Sequence, residues 1–507
     1  MHHHVRRTVA ATGTTALVAA ALLIAPGAQA AAAIACQGKA VTIDGSGQAT
    51  VTGTPGDDVI AATVGSTVTA LAGNDTICVL PGTATTPTSV DAGEGNDAVD
   101  ASTLPEGVTA TTALGAGDDT YTGGAASDQV STGAGADTVT TGAGDDGVGS
   151  GTAGQPNADK LDLGVGDDVL DWHGTQAPSG SVDVGDGADT LADSDGGVVA
   201  INATTGAVDR DGATVLRWKG SVTDYVVEST ATRVGFDGTD AAETFTLRDP
   251  ATGATPTTTD LDMAGGDDTM TIRSHVLDGS TWEGGDGTDL FQVAHDYTQM
   301  LLDLRSGQFE TGSPDVTVDQ RVSGVEDVDA ITAKVTVKGT GAAGNVINLQ
   351  GCAMWAVGRG GEDTIGYGVD IADAPTLTCT GTGTSMVARG GKDDDRITGS
   401  SGNDRLFGNK GEDLVTAMGG DDVIFGGDDD DRIKGNAGDD KVRGGMGNDE
   451  LGGNAGNDRV QGDKGNDRLL GHLGNDVLVG GLGFDRANGG KGVDRAFSVE
   501  RRWNVER

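Results

Sequence analysis

Twelve aspartates, Asp395, Asp404, Asp413, Asp422, Asp431, Asp440, Asp449, Asp458, Asp467, Asp476, Asp485 and Asp494, stand nine residues apart without interruption. Counted from Gly390, each nonapeptide reads G-G-x-G-x-D-x-U-x, with U aliphatic, and Gly444-Gly445-Met446-Gly447-Asn448-Asp449-Glu450-Leu451-Gly452 is a nearly complete copy. Glycine holds position one in eleven of the twelve copies, failing at Ala417, and position four in ten, failing at Asp393 and Asp429. Position eight is Ile, Leu or Val in ten copies and ends in Ala487 and Ala496. A period of nine held from 390 to 497 specifies stacked coils, because a unit this short buries its apolar residue only against its neighbours.

Each residue type in the unit has a physical task. Glycines accept positive φ and let backbone carbonyls turn toward a common point. The aspartate adds a hard carboxylate oxygen, and carbonyl plus carboxylate oxygens form the ligand set that Ca²⁺ selects. Positions seven to nine predict a short strand with position eight inward and its neighbours outward. If two nonapeptides make one coil, inward residues stack every eighteen. One ladder is then Ile397, Val415, Ile433, Leu451, Leu469, Ala487, and the other Leu406, Ile424, Val442, Val460, Leu478, Ala496. Both are apolar throughout, so the expected coil has two sides and a thin core.

This array resembles the RTX, or haemolysin-type calcium-binding, repeat family. The resemblance covers 390–497 and implies a parallel β-roll in which position-six aspartates of neighbouring turns share Ca²⁺ ions. The twelve aspartates above are therefore expected metal ligands. Asp119, Asp128, Asp137 and Asp146 join them, because they are again nine apart within Gly117-Asp118-Asp119, Ala136-Asp137 and Gly144-Asp145-Asp146. Elsewhere the motif recurs at steps of 22, from Asp75 to Asp97 to Asp119 and from Asp146 to Asp168, and a step of 21 leads to Asp189. A coil with one calcium-type turn and one longer, metal-free turn gives that spacing.

A longer duplication is visible as well. Leu161-Asp162-Leu163 with Gly166-Asp167-Asp168 matches Leu261-Asp262-Met263 with Gly266-Asp267-Asp268, 100 residues on. Each copy holds two Gly-Asp turns followed by a strand-rich stretch, Val198–Asn202 or Met300–Arg305, and 322–328 looks like a spacer between RTX blocks. The expected organisation is a signal peptide over 1–30, a degenerate Gly-Asp solenoid over 31–160 and duplicated irregular β-solenoid modules of about 100 residues over 161–389. The nonapeptide β-roll follows over 390–497, with a tail at 498–507. The fold class is all-β, a parallel β-roll or β-helix solenoid throughout.

The formal net charge is −44. Residues 31–389 carry 53 acidic against 14 basic groups, a net of −39, and 390–497 carry 22 against 14, a net of −8. Such a chain resists compaction until cations neutralise it, and aromatics at 3% leave little for a conventional core. Calcium binding and folding are then expected to be one process. The acidity argues against nucleic acid as a partner. Arg6 and Arg7, the apolar 16–25 and Ala28-Gln29-Ala30 read as an export signal, and no segment is long enough to span a bilayer. Four cysteines suit an oxidising compartment. They allow three connectivities, of which the local pairs Cys36–Cys78 and Cys352–Cys379 are expected; a lipidated Cys36 is the rival reading.

Chemistry beyond calcium finds little support. There is no H-E-x-x-H and no G-x-S-x-G, and paired carboxylates are too common to single out a dyad. His275 and His295, near Asp278 and Asp296, read as ordinary turn histidines, and Trp218, Trp282 and Trp355 as partly buried rings rather than a sugar platform. Position seven is basic in eight copies, Arg396, Arg405, Arg432, Lys441, Arg459, Arg468, Arg486 and Arg495. These outward stripes balance charge or dock an anionic cell-wall polysaccharide or the acidic half of the chain. The expected protein is a secreted, calcium-folded structural, adhesive or matrix protein and not an enzyme. The alternative is an exported polysaccharide-acting enzyme on a parallel β-helix, with its site in 196–357.

Overall fold

The computed structural model describes residues 35–505 apart from 84–85, 194, 229–230, 249–256, 274–278, 295–298, 314–315, 342–343, 370, 372–378 and 380–383. The signal segment 1–30 and His275, Asp278, His295 and Asp296 lie outside the described residues. Every regular element that is described is a β-strand. The chain winds as a parallel β-solenoid of about 22 turns, each turn laying one strand on each of two facing sheets.

The array behaves as its period requires. Ile397 pairs with Val415, Val415 with Ile433, Ile433 with Leu451, Leu451 with Leu469 and Leu469 with Ala487, all in parallel on one sheet. Leu406, Ile424, Val442, Val460, Leu478 and Ala496 pair in the same way on the other. All twelve side chains are buried and belong to one core running from Val51 to Ala496. Strands in mid-array are longer than expected: Lys441–Met446 covers positions seven to nine and continues through position three of the next repeat. The parallel ladder carries on past the inward residue, pairing Gly445 with Asp463 and Met446 with Lys464. Upstream, a coil of 22 residues places Ala98–Asp100 on one sheet and Thr109–Ala116 on the other. The long turn between them is pinned by buried Leu104.

Within 196–260 and 290–357 the period breaks for a topological reason. Gly197–Asn202, Ala207–Arg210 and Ala213–Lys219 form an antiparallel meander set into one sheet. Its last strand pairs in parallel with Ser181–Asp183 and its first with Ala231–Asp237. Gln299–Asp303, Gln308–Ser313 and Val316–Ser323 repeat the arrangement, again between parallel neighbours, Thr281–Glu283 and Lys334–Lys338. The segment 322–328, expected as a spacer, thus begins in the last meander strand. Following the pairings from end to end among the described residues, this sheet holds 26 strands against 22 in the other, a difference of roughly 19 Å at about 4.8 Å per strand. Large rings fill the core there. Tyr225 lies 4.7 Å from Phe236, which lies 5.2 Å from Phe245, and Trp282 packs within 5.5 Å of Phe291 and Phe309. Trp218 and Trp282 are therefore core residues, whereas Trp355 is 45% exposed.

Guanidinium groups neutralise carboxylates in these irregular coils. Arg359 makes a two-pronged contact with Asp303, 2.8 Å on each side. Arg210 reaches Asp193 at 2.6 Å and Asp195 at 3.0 Å. Disulfides join Cys36 to Cys78 and Cys352 to Cys379. The expected local pairs are formed, and the first bond closes the lipidation reading of Cys36.

Position two of the nonapeptide has a demand that its variable letter hides. Asn409, Asn436, Asn454, Asp463 and His472 all sit there with φ between 77° and 86°, and so does Met418 at 81°. Asn and Asp tolerate this left-handed region, but an ordinary side chain loses about 1–2 kcal/mol in it. Met418 is half-exposed and buries little. Met418→Gly should therefore stabilise the calcium-loaded protein by about 1 kcal/mol, read as a raised thermal midpoint. A lowered midpoint would show that the methionine packs in a way its exposure does not reveal.

Candidate metal centre

The turn at 444–449 shows how a cradle is built. Gly444 clears the space: a Cβ there would collide with Asp449 Oδ2 and crowd the carbonyl oxygen of Gly462 in the next coil. Gly447, with φ +127°, turns the chain so that the aspartate points inward. Asp449 is then tied down on every side but one. Its N–H donates to Asp467 Oδ1 at 3.0 Å, its own Oδ1 accepts the N–H of Asp431 at 2.9 Å, and its carbonyl accepts the N–H of Arg468 at 2.8 Å. Only Oδ2 remains, fully buried and without a hydrogen-bond partner.

The pattern repeats along the edges of the solenoid. One column links Asp363, Asp395, Asp413, Asp431, Asp449, Asp467 and Asp485 by successive N–H to Oδ1 bonds of 2.8–3.0 Å. A second links Asp404, Asp422, Asp440, Asp458, Asp476 and Asp494. Upstream, Asp119 and Asp137 stand in a column with Asp75 and Asp97, while Asp128 and Asp146 lead to Asp168 and Asp189. Among the described residues, 22 aspartates carry a buried, unpartnered Oδ2, and each is 2% exposed or less. Of the expected ligands Asp128 leaves both oxygens unpartnered, and only Asp404 has both satisfied. Ser400 donates its N–H to Asp404 Oδ2 at 2.6 Å and its hydroxyl to Oδ1 at 2.8 Å.

Burial first, and repulsion from neighbouring aspartates second, raise the carboxyl groups of Asp395, Asp422 and Asp431 to about 8 and that of Asp449 to about 7. A carboxylate held in this setting calls for a positive charge. No group of three or more His, Cys, Asp or Glu side chains among the described residues could hold a metal, so backbone carbonyls must complete any shell. A lone buried carboxylate oxygen facing glycine-cleared carbonyls suits a hard cation with oxygen ligands, Ca²⁺, and not Zn²⁺.

A second ladder went unseen in the sequence because position five was read as variable. Asn457 Oδ1 accepts the N–H of Asn475 at 3.0 Å and its side-chain amide at 3.1 Å, and Asn457 itself donates to Asp439. The same contact joins Asn448 to Asn466 and Asp421 to Asp439. The recurring Asn-Asp dipeptide was its signal. These side chains are exposed and point away from the cradles, so the ladder is structural.

The RTX calcium-binding nonapeptide repeat family matches the chain in four copies, at residues 115–148, 387–415, 416–451 and 452–487. No curated protein matches it. By repeat and by fold the chain carries calcium-binding repeats on a β-roll.

The two ladders should separate in experiment. Asn457→Ala removes one acceptor and should cost about 1 kcal/mol, lowering the thermal midpoint in saturating calcium while the number of bound ions stays unchanged. A lost ion would place position five among the ligands.

Proposed function

We propose, from the RTX repeats this chain carries, that it is a secreted, non-enzymatic β-roll that folds on meeting extracellular Ca²⁺ and then holds an anionic polymer of the cell surface. The observation that carries the calcium half is the set of buried aspartate oxygens without partners. Export is supported by the two disulfides and by the leader-like segment before residue 31. No helix among the described residues is long and apolar enough to cross a membrane.

The polymer half rests on the outward faces of the array. Position-seven basic residues divide between the sheets, Arg396, Arg432, Arg468 and Arg486 on one and Arg405, Lys441, Arg459 and Arg495 on the other, all exposed. On the second face Arg389 and Arg443 join them; Arg443 pairs with Asp463 and Lys410 with Asp428 of the next coil, so the basic surplus there rests on Arg389 and the position-seven residues. Arg389 lies between rings, 5.3 Å from Trp355 and 5.0 Å from Phe407, and Phe407 stacks on Phe425 at 5.3 Å. A groove of about 650 Å³ lined by Phe425, Arg443, Met446, Asp463, Lys464 and Leu482 runs beside them, with Asp463 held by Arg443. Basic groups at coil spacing beside apolar rings suit a linear polymer bearing uronate or phosphate groups.

An ion cluster beside the first meander, most of it just outside the 196–357 stretch of the enzyme alternative, resembles acid–base machinery. His173 stands in a cluster of acids and arginine, but its Nδ1 meets Asp195 at 3.0 Å and its Nε2 meets Asp171 at 3.4 Å, while Arg210 is held by Asp193 and Asp195. Neither ring nitrogen is left to take a proton from a substrate. The contact to Asp171 foremost, then that to Asp195, raises His173 to about 9. A cation raised in this way stabilises the fold fully below about 6.5 and ceases to do so as pH climbs through about 9. His173→Gln should therefore melt below the wild type at pH 6.5, with the gap closing by pH 10. A gap that persists unchanged would deny the ion-pair role.

The main reading is tested with the whole protein. Far-UV circular dichroism should show an open chain in chelator and a β-rich one in millimolar calcium; identical spectra would sink calcium-driven folding. In calcium, the protein should be retained on an immobilised uronate-bearing polysaccharide, less so as salt rises, and Arg405→Glu with Lys441→Glu and Arg459→Glu should abolish retention. Equal retention on a neutral glucan would refute the anionic partner.

A further inference from the structure

Two chemical classes recur among the position-six residues, with Asp159, whose Oδ2 accepts the Ser150 and Thr132 hydroxyls, outside both. In the first the second carboxylate oxygen is buried and alone, and all 22 members are aspartates. In the second, a hydroxyl residue directly after a glycine supplies both of its donors to that side chain. Thr54 gives its N–H and hydroxyl to Asp58 Oδ2 at 2.6 and 2.9 Å. Thr239 gives its N–H to Glu243 Oε2 at 2.9 Å and its hydroxyl to Oε1 at 2.6 Å. Thr340 bonds Asn345 Oδ1 at 2.9 and 3.3 Å, and Ser400 bonds Asp404 as described above.

Two features mark the second class as cation-free. Its acceptor drifts between Asp, Glu and uncharged Asn, as expected where no ion demands a carboxylate. Its hydroxyl residues also lack the positive φ that position two shows elsewhere in the array, and this backbone change aims the N–H at the acceptor. Two donors then stand where a cation would otherwise meet the oxygen.

Two first-class turns outside the matched repeats reproduce the whole cradle. At Asp363, a Cβ on Gly358 would strike Oδ2 and crowd the carbonyl of Gly390 in the next coil, while the Asp363 N–H donates to Asp395 Oδ1 at 2.8 Å. At Asp289, Gly284 plays the same part against Oδ2 and the Gly324 carbonyl, and the Asp289 N–H donates to Glu326 Oε2 at 3.1 Å. These are the relations among Gly444, Asp449, Gly462 and Asp467. Both aspartates are at most 1% exposed with Oδ2 unpartnered.

We propose that the Ser400 turn inside the array holds no calcium ion, because its hydroxyl and N–H saturate Asp404, and that the Thr54, Thr239 and Thr340 turns are closed in the same way, whereas Asp289 and Asp363, in turns with the array's own glycine and aspartate spacing, hold theirs. This rests on the calcium reading of the array. The Asp363 site carries the cation column of the β-roll one coil upstream of the array, and the Ser400 turn opens the other column with a lock that needs no metal.

Native mass spectrometry of the full chain in saturating calcium counts bound ions directly. Asp363→Asn and Asp289→Asn should each bind at least one ion fewer than the wild type. Asp404→Asn should keep the wild-type count, and Ser400→Gly should gain an ion. A wild-type count in either of the first two variants, a loss in Asp404→Asn, or no gain in Ser400→Gly would overturn the assignment. Asp449→Asn serves as the reference: an ion lost there with the other counts wrong rejects this proposal alone, whereas no loss there rejects the calcium reading itself.

Discussion

The whole molecule depends on carboxylate oxygens buried without a partner. An isolated charge in a protein interior carries a cost of several kcal/mol even after relaxation, and 22 such oxygens stand in columns along the described chain. The fold is built to present that problem at regular intervals. In the array, glycine at position one opens the cradle in every copy but that of Ala417, position two takes a left-handed turn except at Ser400, and the aspartate's Oδ1 is committed to a neighbouring coil. What is left over is one oxygen, aimed at carbonyls. The ladder of Leu, Ile and Val at position eight is thin beside this cost, and in the function proposed above cation binding offsets it and is thereby coupled to folding.

Between the upstream coils and the array, the chain changes its method of neutralisation without interrupting its core. In the meander coils arginine does the work: the planar fork of Arg359 matches the carboxylate of Asp303, and Arg210 serves two aspartates at once. The same coils contain the large rings, Trp218, Tyr225, Phe236 and Phe245 in one module and Trp282, Phe291 and Phe309 in the other. A longer sheet needs more volume between the layers, and aromatic side chains provide it. These stretches are thus closer to an ordinary protein in how they hold together, while the array relies on repetition.

Repetition also decided what could be read from the sequence. Coil lengths of 18 and 22 residues, the two apolar ladders and the aspartate columns were legible because each depends on one residue type at one spacing. The duplication about 100 residues apart was legible too, but its topology was not. Strands such as Ala207–Arg210 reverse direction inside a parallel sheet, and no period marks a reversal. Positions two and five were hidden differently. Asn436 and Asn454 at position two serve backbone conformation, Asn457 and Asn466 at position five serve a side-chain ladder, and a motif that writes both positions as variable discards them. Ser400 is the sharpest case, since one serine in a position written as variable takes over both oxygens of Asp404, Oδ1 with its hydroxyl and Oδ2 with its N–H.

The two ends of the solenoid show what the ladders demand of their boundaries. Every interior coil receives N–H groups from one neighbour and gives its own to the other, so a terminal coil leaves one row of donors or acceptors open, and an open parallel edge invites pairing with another chain. At the C-terminal end Glu500 accepts the N–H of Asp485 at 2.6 Å, where the next aspartate of the column would have stood. Phe484 and Val493 end the position-five ladder by donating without accepting, and the last strand, Arg501–Trp503, is exposed and doubly basic. At the other end a small antiparallel hairpin, Ala35–Cys36 with Lys39–Ala40, is bonded through Cys36 to Cys78 of a buried strand. The C-terminal edge is thus blunted by charge, as expected of a terminal coil that differs from the repeats before it, whereas the hairpin is strapped to the third strand in from the other edge.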